Sequence, residues 1–183
     1  MNKIKLRKIA KEIRNKQDIF YCSKNICEYI LSSDFFAKAD NIMLYAPIGN
    51  EISLYEIIDA ANANSKSFYF PSVCGDEILP VLFLPDKGFK KGEFGIFEPV
   101  GNVSDDFNNI DLIFIPALAA DYNGYRLGYG KGFYDRFLPK LKKTCTKIIP
   151  IYSPLVFHSI PTESHDVRAD YLLTENGLIK CVS

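Results

Sequence analysis

No stretch of this chain stays apolar for the ~20 residues a helix needs to cross a bilayer, so a membrane span is not expected. Net charge is also lacking. The 22 Lys and Arg are balanced by 22 Asp and Glu, and the pI is near 6.7. This excludes the basic field on which general nucleic-acid and anionic-membrane binders depend. Cys22, Cys27, Cys74, Cys145 and Cys181 contain no C-x-x-C pair, and their odd number orphans one thiol in any disulfide scheme. They read as reduced thiols, and the expected location is cytoplasmic. His158 and His165 have no Cys at finger-like spacing, which argues against a zinc site. The charged N-terminus lacks the apolar core of a secretory signal. Glu12, and the want of a Ser- and Arg-rich leader, weigh against a transit peptide.

What is there suffices for one domain. With 183 residues and 48% hydrophobic content the chain can bury a substantial core, and a single domain over 1–183 is expected. From Lys3 to Leu31, apolar residues recur at Leu6, Ile9, Ala10, Ile13 and Phe20 with helical spacing. Lys3, Arg7, Lys11 and Arg14 form a basic stripe beside them, either a solvated face or a set of converging cations. Strands are predicted at Asn41–Tyr45, Ser67–Phe70, Ile78–Leu84, Asp111–Pro116, Lys147–Tyr152 and Tyr171–Thr174, and helices at Ile52–Ala63 and Gly132–Lys143. Several of the strands are continuous apolar runs, as when both sheet faces are covered. Their alternation with helices predicts an α/β fold, a three-layer α/β/α arrangement with a mostly parallel sheet. Asp76–Asn109, punctuated by Pro and Gly, reads as loops and hairpins.

The most informative run is Arg126-Leu-Gly-Tyr-Gly-Lys-Gly-Phe-Tyr-Asp-Arg136, which follows an apolar strand candidate and opens a helix. Glycines at alternate positions let the backbone turn tightly and approach a ligand closely. The helix N-terminus favours anions, Arg126 and Lys131 add positive charge, and Asp135 offers a hard oxygen for Mg²⁺. A tight loop without a ligand would need none of these charges. The combination points to a nucleotide phosphate site. It is not a P-loop, because Lys131 is followed by Gly132 rather than Ser or Thr, and not a dinucleotide fingerprint, because Phe133 stands where the third glycine belongs.

At these residues the chain resembles the 5-formyltetrahydrofolate cyclo-ligase family, also called methenyltetrahydrofolate synthetases, over nearly its whole length. The specific stretch is Asn123-Gly-Tyr-Arg-Leu-Gly-Tyr-Gly-Lys-Gly-Phe-Tyr-Asp135. Shorter support comes from Lys3-x-x-x-Arg7, Tyr45-Ala-Pro-Ile-Gly-Asn-Glu51-Ile, Phe94-Gly-Ile-Phe-Glu-Pro99, Ile110-Asp-Leu-Ile-Phe-Ile-Pro116 and His165-Asp166. The resemblance implies conversion of 5-formyltetrahydrofolate to 5,10-methenyltetrahydrofolate through a phosphorylated formyl group, an iminium phosphate, with ADP and phosphate released. ATP is then a co-substrate and Mg²⁺ a cofactor.

By the same resemblance, Arg126 and Lys131 are the catalytic cations on the β and γ phosphates. Lys3 and Arg7 approach from the N-terminal helix, and Gly128, Tyr129, Gly130, Gly132, Phe133 and Tyr134 surround the nucleotide. Asp135 and Asp166 hold the metal, with His165 beside the latter. Ala46 and Glu51 touch the folate, and Tyr129, Phe133, Phe94 and Tyr152 supply flat walls. On pattern alone Glu51 can instead cap the helix predicted from Ile52. Ser72 departs from the Lys or Arg that relatives often place there, which leaves any preference for polyglutamate tails open. The expected partners are the folate and ATP alone, on a monomer. A paralogue with the same nucleotide site in another pathway, a folate-storage protein and a sugar-phosphate isomerase of similar architecture are the other readings. Retention of Glu51 beside the glycine run favours the cyclo-ligase.

Overall fold

The computed structural model describes residues 2–61, 66–92, 95–104 and 107–182. The first predicted helical stretch is two helices, α1 (Lys3–Arg14) and α2 (Ile19–Leu31). Each begins at a side-chain cap. Asn2 accepts from the Lys5 amide at 2.9 Å and Asp18 from the Tyr21 amide at 3.0 Å. The cap at Asp18 is what breaks an otherwise continuous apolar period. A short α3 (Asp34–Lys38) leads to β1 (Asn41–Met43).

The helix expected over Ile52–Ala63 begins later, as α4 (Glu56–Ala61), and Ala63 lies outside the described residues. Glu51 is therefore too far upstream to cap it. After α4 come β2 (Ser67–Cys74), β3 (Glu77–Leu82), β4 (Phe89–Lys91) and β5 (Phe97–Pro99), so the Pro- and Gly-rich segment is indeed built of hairpins. The chain continues through β6 (Leu112–Phe114), β7 (Ala119–Asp121), β8 (Arg126–Leu127), α5 (Phe133–Phe137), β9 (Thr146–Pro150), β10 (Val156–Phe157), β11 (Tyr171–Thr174) and β12 (Gly177–Lys180). The helix expected to reach Lys143 stops at Phe137 and passes into a 3₁₀ turn at Leu138–Lys140. Pro139 has no N–H to donate back to Asp135.

The main sheet has the order β12-β11-β9-β6-β1-β2-β3. Its interior pairs, β11/β9, β9/β6, β6/β1 and β1/β2, are parallel, and both edges are antiparallel. This is the mostly parallel α/β architecture expected from the apolar runs. Ile42, Met43, Ile113, Phe114, Ile148 and Ile149 are fully buried, as central strands covered on both faces should be. A second, three-stranded sheet, β10-β7-β8, has no counterpart in the sequence reading. It corrects one expectation: the glycine run does not leave the main-sheet strand β6 directly. It leaves β8, the second arm of a hairpin with β7. Among the described residues no helix is long and apolar enough to cross a membrane, and all five cysteines are free.

Candidate active site

In open parallel sheets, ligands bind beyond the carboxyl ends of the strands. Here the chain leaving β1 supplies Ile48, with Glu51 buried behind the lining, the chain leaving β6 supplies Pro116, and the β7–β8 hairpin hangs the glycine loop over the same end. The result is a cleft of about 440 Å³ whose lining includes Lys3, Arg7, Arg126, Lys131, Asp135 and Asp166, together with Gly128–Tyr134. Sequence-predicted groups more than 160 positions apart in the chain are thus brought into direct contact, Lys3 Nζ lying 2.9 Å from Asp166 Oδ2.

Local conformation explains why the loop has this sequence. Gly130 sits at φ +104° and Gly132 at φ +68°, both in the left-handed half of backbone space that side chains disfavour. Gly130 also faces Arg7: a Cβ there would lie 3.3 Å from the guanidinium. Arg7 donates from Nε to the Gly128 carbonyl at 2.9 Å, which fastens α1 to the loop. At the start of α5, Asp135 accepts from Arg126 Nη2 at 2.8 Å and from the Val167 amide at 3.2 Å. Arg126 is buried, and its Nη1 donates to the Val167 carbonyl at 2.7 Å.

Asp166 accepts from Lys3 and, at 2.7 Å, from the Glu163 amide. Burial works against its charge, but these donors prevail and hold its carboxyl below the usual range. The Lys3 ammonium is correspondingly raised despite burial, with Glu163 3.1 Å away as a second acid. His165 is exposed, with Nε2 3.4 Å from Glu163 and 3.9 Å from Asp166. The cleft thus carries three carboxylates, Asp135 paired with Arg126 and both Glu163 and Asp166 paired with Lys3. Mg²⁺ needs only one or two protein carboxylates when phosphate supplies the rest, so Asp135 and Asp166 suffice in number, while among the described residues no group of three or more His, Cys, Asp or Glu side chains gathers as a complete protein-only metal site.

Glu51 stands behind this wall. It is 4% exposed, with Oε2 accepting from the Ile48 amide at 2.8 Å and Oε1 from the Tyr129 hydroxyl at 2.7 Å. Burial pushes its carboxyl up, against the pull of those two donors and of Arg14. Two expected wall residues lie elsewhere. Ala46 is buried and outside the cleft lining, and Tyr152, 1% exposed, donates its hydroxyl to the Asn50 carbonyl at 2.9 Å. Both follow main-sheet strands whose side chains are drawn into the core. Tyr129, Phe133 and Tyr134 do line the cleft, and the Tyr134 hydroxyl is buried without a hydrogen-bond partner. Phe94 lies outside the described residues. Ser72 donates to Glu98 Oε2 at 2.6 Å and is spent on tying β2 to β5.

Of the basic stripe, the structure buries Arg14 against this cluster while leaving Lys11 exposed. Spacing alone could not separate the two. The signal was Ala10, a small residue on the Arg7–Arg14 face that lets the helix approach closely.

A family model, the 5-formyltetrahydrofolate cyclo-ligase family, matches residues 2–175. The chain belongs to this family. The 5-formyltetrahydrofolate cyclo-ligase of Haemophilus influenzae is 32% identical over 170 residues, 88% of this chain and 89% of that protein. Among solved structures, the 5,10-methenyltetrahydrofolate synthetase of Aquifex aeolicus superposes with a TM-score of 0.86 at 31% identity, covering 100% of this chain and 94% of the other. The corresponding synthetase of Mycoplasma pneumoniae gives a TM-score of 0.79 at 25% identity, over 96% of this chain and 99% of the other. As a member of a cyclo-ligase family the chain is an enzyme, and its cleft is the place to look for the chemistry.

Proposed function

We propose that this cyclo-ligase family member converts 5-formyltetrahydrofolate to 5,10-methenyltetrahydrofolate, consuming ATP and releasing ADP and phosphate. The reading rests on one observation above others. The cations of α1, the glycine loop, Arg126, Lys131 and three carboxylates share one cleft, with a buried acid behind it. The N-formyl group is an amide, with a weakly electrophilic carbon and a poor leaving oxygen. Transfer of the γ-phosphoryl to that oxygen, with the bond to ADP breaking, gives an iminium phosphate. N10 then attacks the activated carbon and loses its proton, and phosphate departs as the ring closes.

In this scheme the protein contributes position and charge. Lys131, with Lys3 and Arg7, neutralises the charge that spreads over the transferred group. Arg126 adds its charge from a buried position, where it also orients Asp135 through their 2.8 Å pair. Gly128–Gly132 allow the phosphates to approach the backbone. Asp135 and Asp166 would hold Mg²⁺, whose charge offsets that of the phosphates when bound. Tyr129 and Phe133 offer flat faces to the pterin and benzoyl rings, and Glu51 is the acid on the folate side.

The test is near-ultraviolet absorbance of purified protein mixed with 5-formyltetrahydrofolate, Mg²⁺ and ATP. An absorbance rise from the methenyl product that requires ATP is the expected result. Absence of a rise while ATP still binds would turn the assignment toward a paralogue with another substrate.

A further inference from the structure

Lys3, Arg7 and Arg14 stand at offsets of four and eleven residues on α1, which at ~100° per residue puts all three within about 40° of one helix face. The first two reach the phosphate side of the cleft. The third does not line the cleft and reaches the buried cluster around Glu51 behind it. Arg14 is 6% exposed and donates from Nη1 to the Tyr129 hydroxyl at 2.9 Å, and from Nη2 to the Ala117 carbonyl. The Tyr129 hydroxyl in turn donates to Glu51 Oε1 at 2.7 Å, and Arg14 Nη1 lies 3.7 Å from the same oxygen. The Arg14 Nε is buried with no acceptor. Both terminal nitrogens are held, by Tyr129 and by the Ala117 carbonyl, which fixes the guanidinium charge beside Glu51.

We infer that Arg14 is a positioning residue: through the Tyr129 hydroxyl it fixes and neutralises the Glu51 carboxylate, tying the helix that carries the phosphate-side cations to the folate-side acid. The inference deepens the proposed function and rests on its reading of Glu51. Arg14 is the one cation that faces Glu51 among the described residues; its other titratable neighbours are the hydroxyls of Tyr129, Tyr45, Tyr134 and Tyr152. Removing Arg14 therefore leaves the carboxylate buried with hydroxyl and amide donors only. Removing the Tyr129 hydroxyl costs one donor while the cation stays.

The experiment compares Arg14→Gln, Arg14→Lys and Tyr129→Phe with the parent in the full chain. Arg14→Gln is expected to raise KM for 5-formyltetrahydrofolate about tenfold or more and to leave KM for ATP within about twofold, since a charge-assisted bond on the folate side alone is lost. The acid limb of kcat/KM should move to higher pH, because a carboxyl stripped of its cation holds its proton more tightly. Arg14→Lys should recover part of the shift, and Tyr129→Phe should move the limb the same way by less. A parallel loss for both substrates with an unmoved limb would mean that Arg14 only supports the fold. Where Arg14→Gln fails to fold, Tyr129→Phe decides: an unmoved limb overturns the inference. Should the parent itself show no ATP-dependent turnover, the folate reading fails instead. The Glu51 carboxyl can then be titrated by ¹³C NMR, and a titration unchanged in both Tyr129→Phe and Arg14→Lys refutes the Arg14 role on its own.

Discussion

At the residue scale, the two groups on which phosphoryl transfer would lean hardest differ in how they are held. Lys131 is exposed on the loop, whereas Asp135 is built into a pair with the buried Arg126. Lys131→Ala should thus cost no more than about 1 kcal/mol of stability, the scale of a contact made by an exposed side chain. Asp135→Asn keeps an acceptor oxygen for Arg126 and for the Val167 amide, so a modest loss of stability of about 1–3 kcal/mol is expected from the weaker pairing of a buried charge. Turnover should fall in both by about 100-fold or more, the scale seen when one electrostatic contact to a transition state is deleted. Measured kcat beside melting temperature checks this, and a Lys131→Ala enzyme of full activity would remove that residue from the mechanism. These two residues were legible because their motif is local and dense. Arg14 was not, because its meaning lies in residues 37 and 115 positions away along the chain, Glu51 and Tyr129.

At the element scale, α1 and the glycine loop act together, and the loop's glycines are not equivalent. A Cβ on Gly128 would meet no heavy atom within 4 Å, and its backbone is not left-handed. Gly130 is at φ +104° with Arg7 close by. Gly128→Ala should therefore fold like the parent, and any rise in KM for ATP reports a ligand that passes over the loop. Gly130→Ala should cost about 1–3 kcal/mol of stability from backbone strain and also dislodge Arg7. Melting curves and ATP titrations of the pair separate the two effects. If Gly128→Ala binds ATP as the parent does, the phosphates do not lie over that glycine. Helix boundaries were the least legible part of these elements. Residues 15–18 interrupt a good apolar period through a side-chain cap, and Pro139 ends α5 inside a pattern that otherwise continues. The two- and three-residue strands β7, β8 and β10 are too short to show any period at all.

At the scale of the whole molecule, the parallel strands announced themselves because burial on both faces demands unbroken apolar runs, and this placed the site at their carboxyl ends before any contact was known. What holds those strands in register at their other end is a carboxylate. Asp111, entering β6, accepts from the amides of Asp40 at 3.1 Å and Asn41 at 2.9 Å, where β1 begins, and pairs with Lys142 near β9. Burial works against its charge, yet Lys142 and the two amides hold the carboxyl below the ordinary range. The sign follows from linkage. A carboxyl lowered in the folded state stabilises it above the unfolded value of about 3.9, and that contribution is lost as pH falls through the folded value. Asp166, lowered by Lys3, adds to the same acid loss. Glu51 acts oppositely: its carboxyl is raised, so protonation begins to relieve a buried charge before the others titrate. Stability should consequently hold as pH drops from neutrality toward about 4 and fall below it. Urea unfolding of the parent and of Asp111→Asn at pH 7, 5 and 3 tests this. Asp111→Asn should be clearly less stable at the two higher pH values, with the gap narrowing at pH 3, where the parent has begun to lose the charge that the variant never had. A gap that stays constant across all three would show that Asp111 joins the three strands by the shape of its hydrogen bonds and not by its charge.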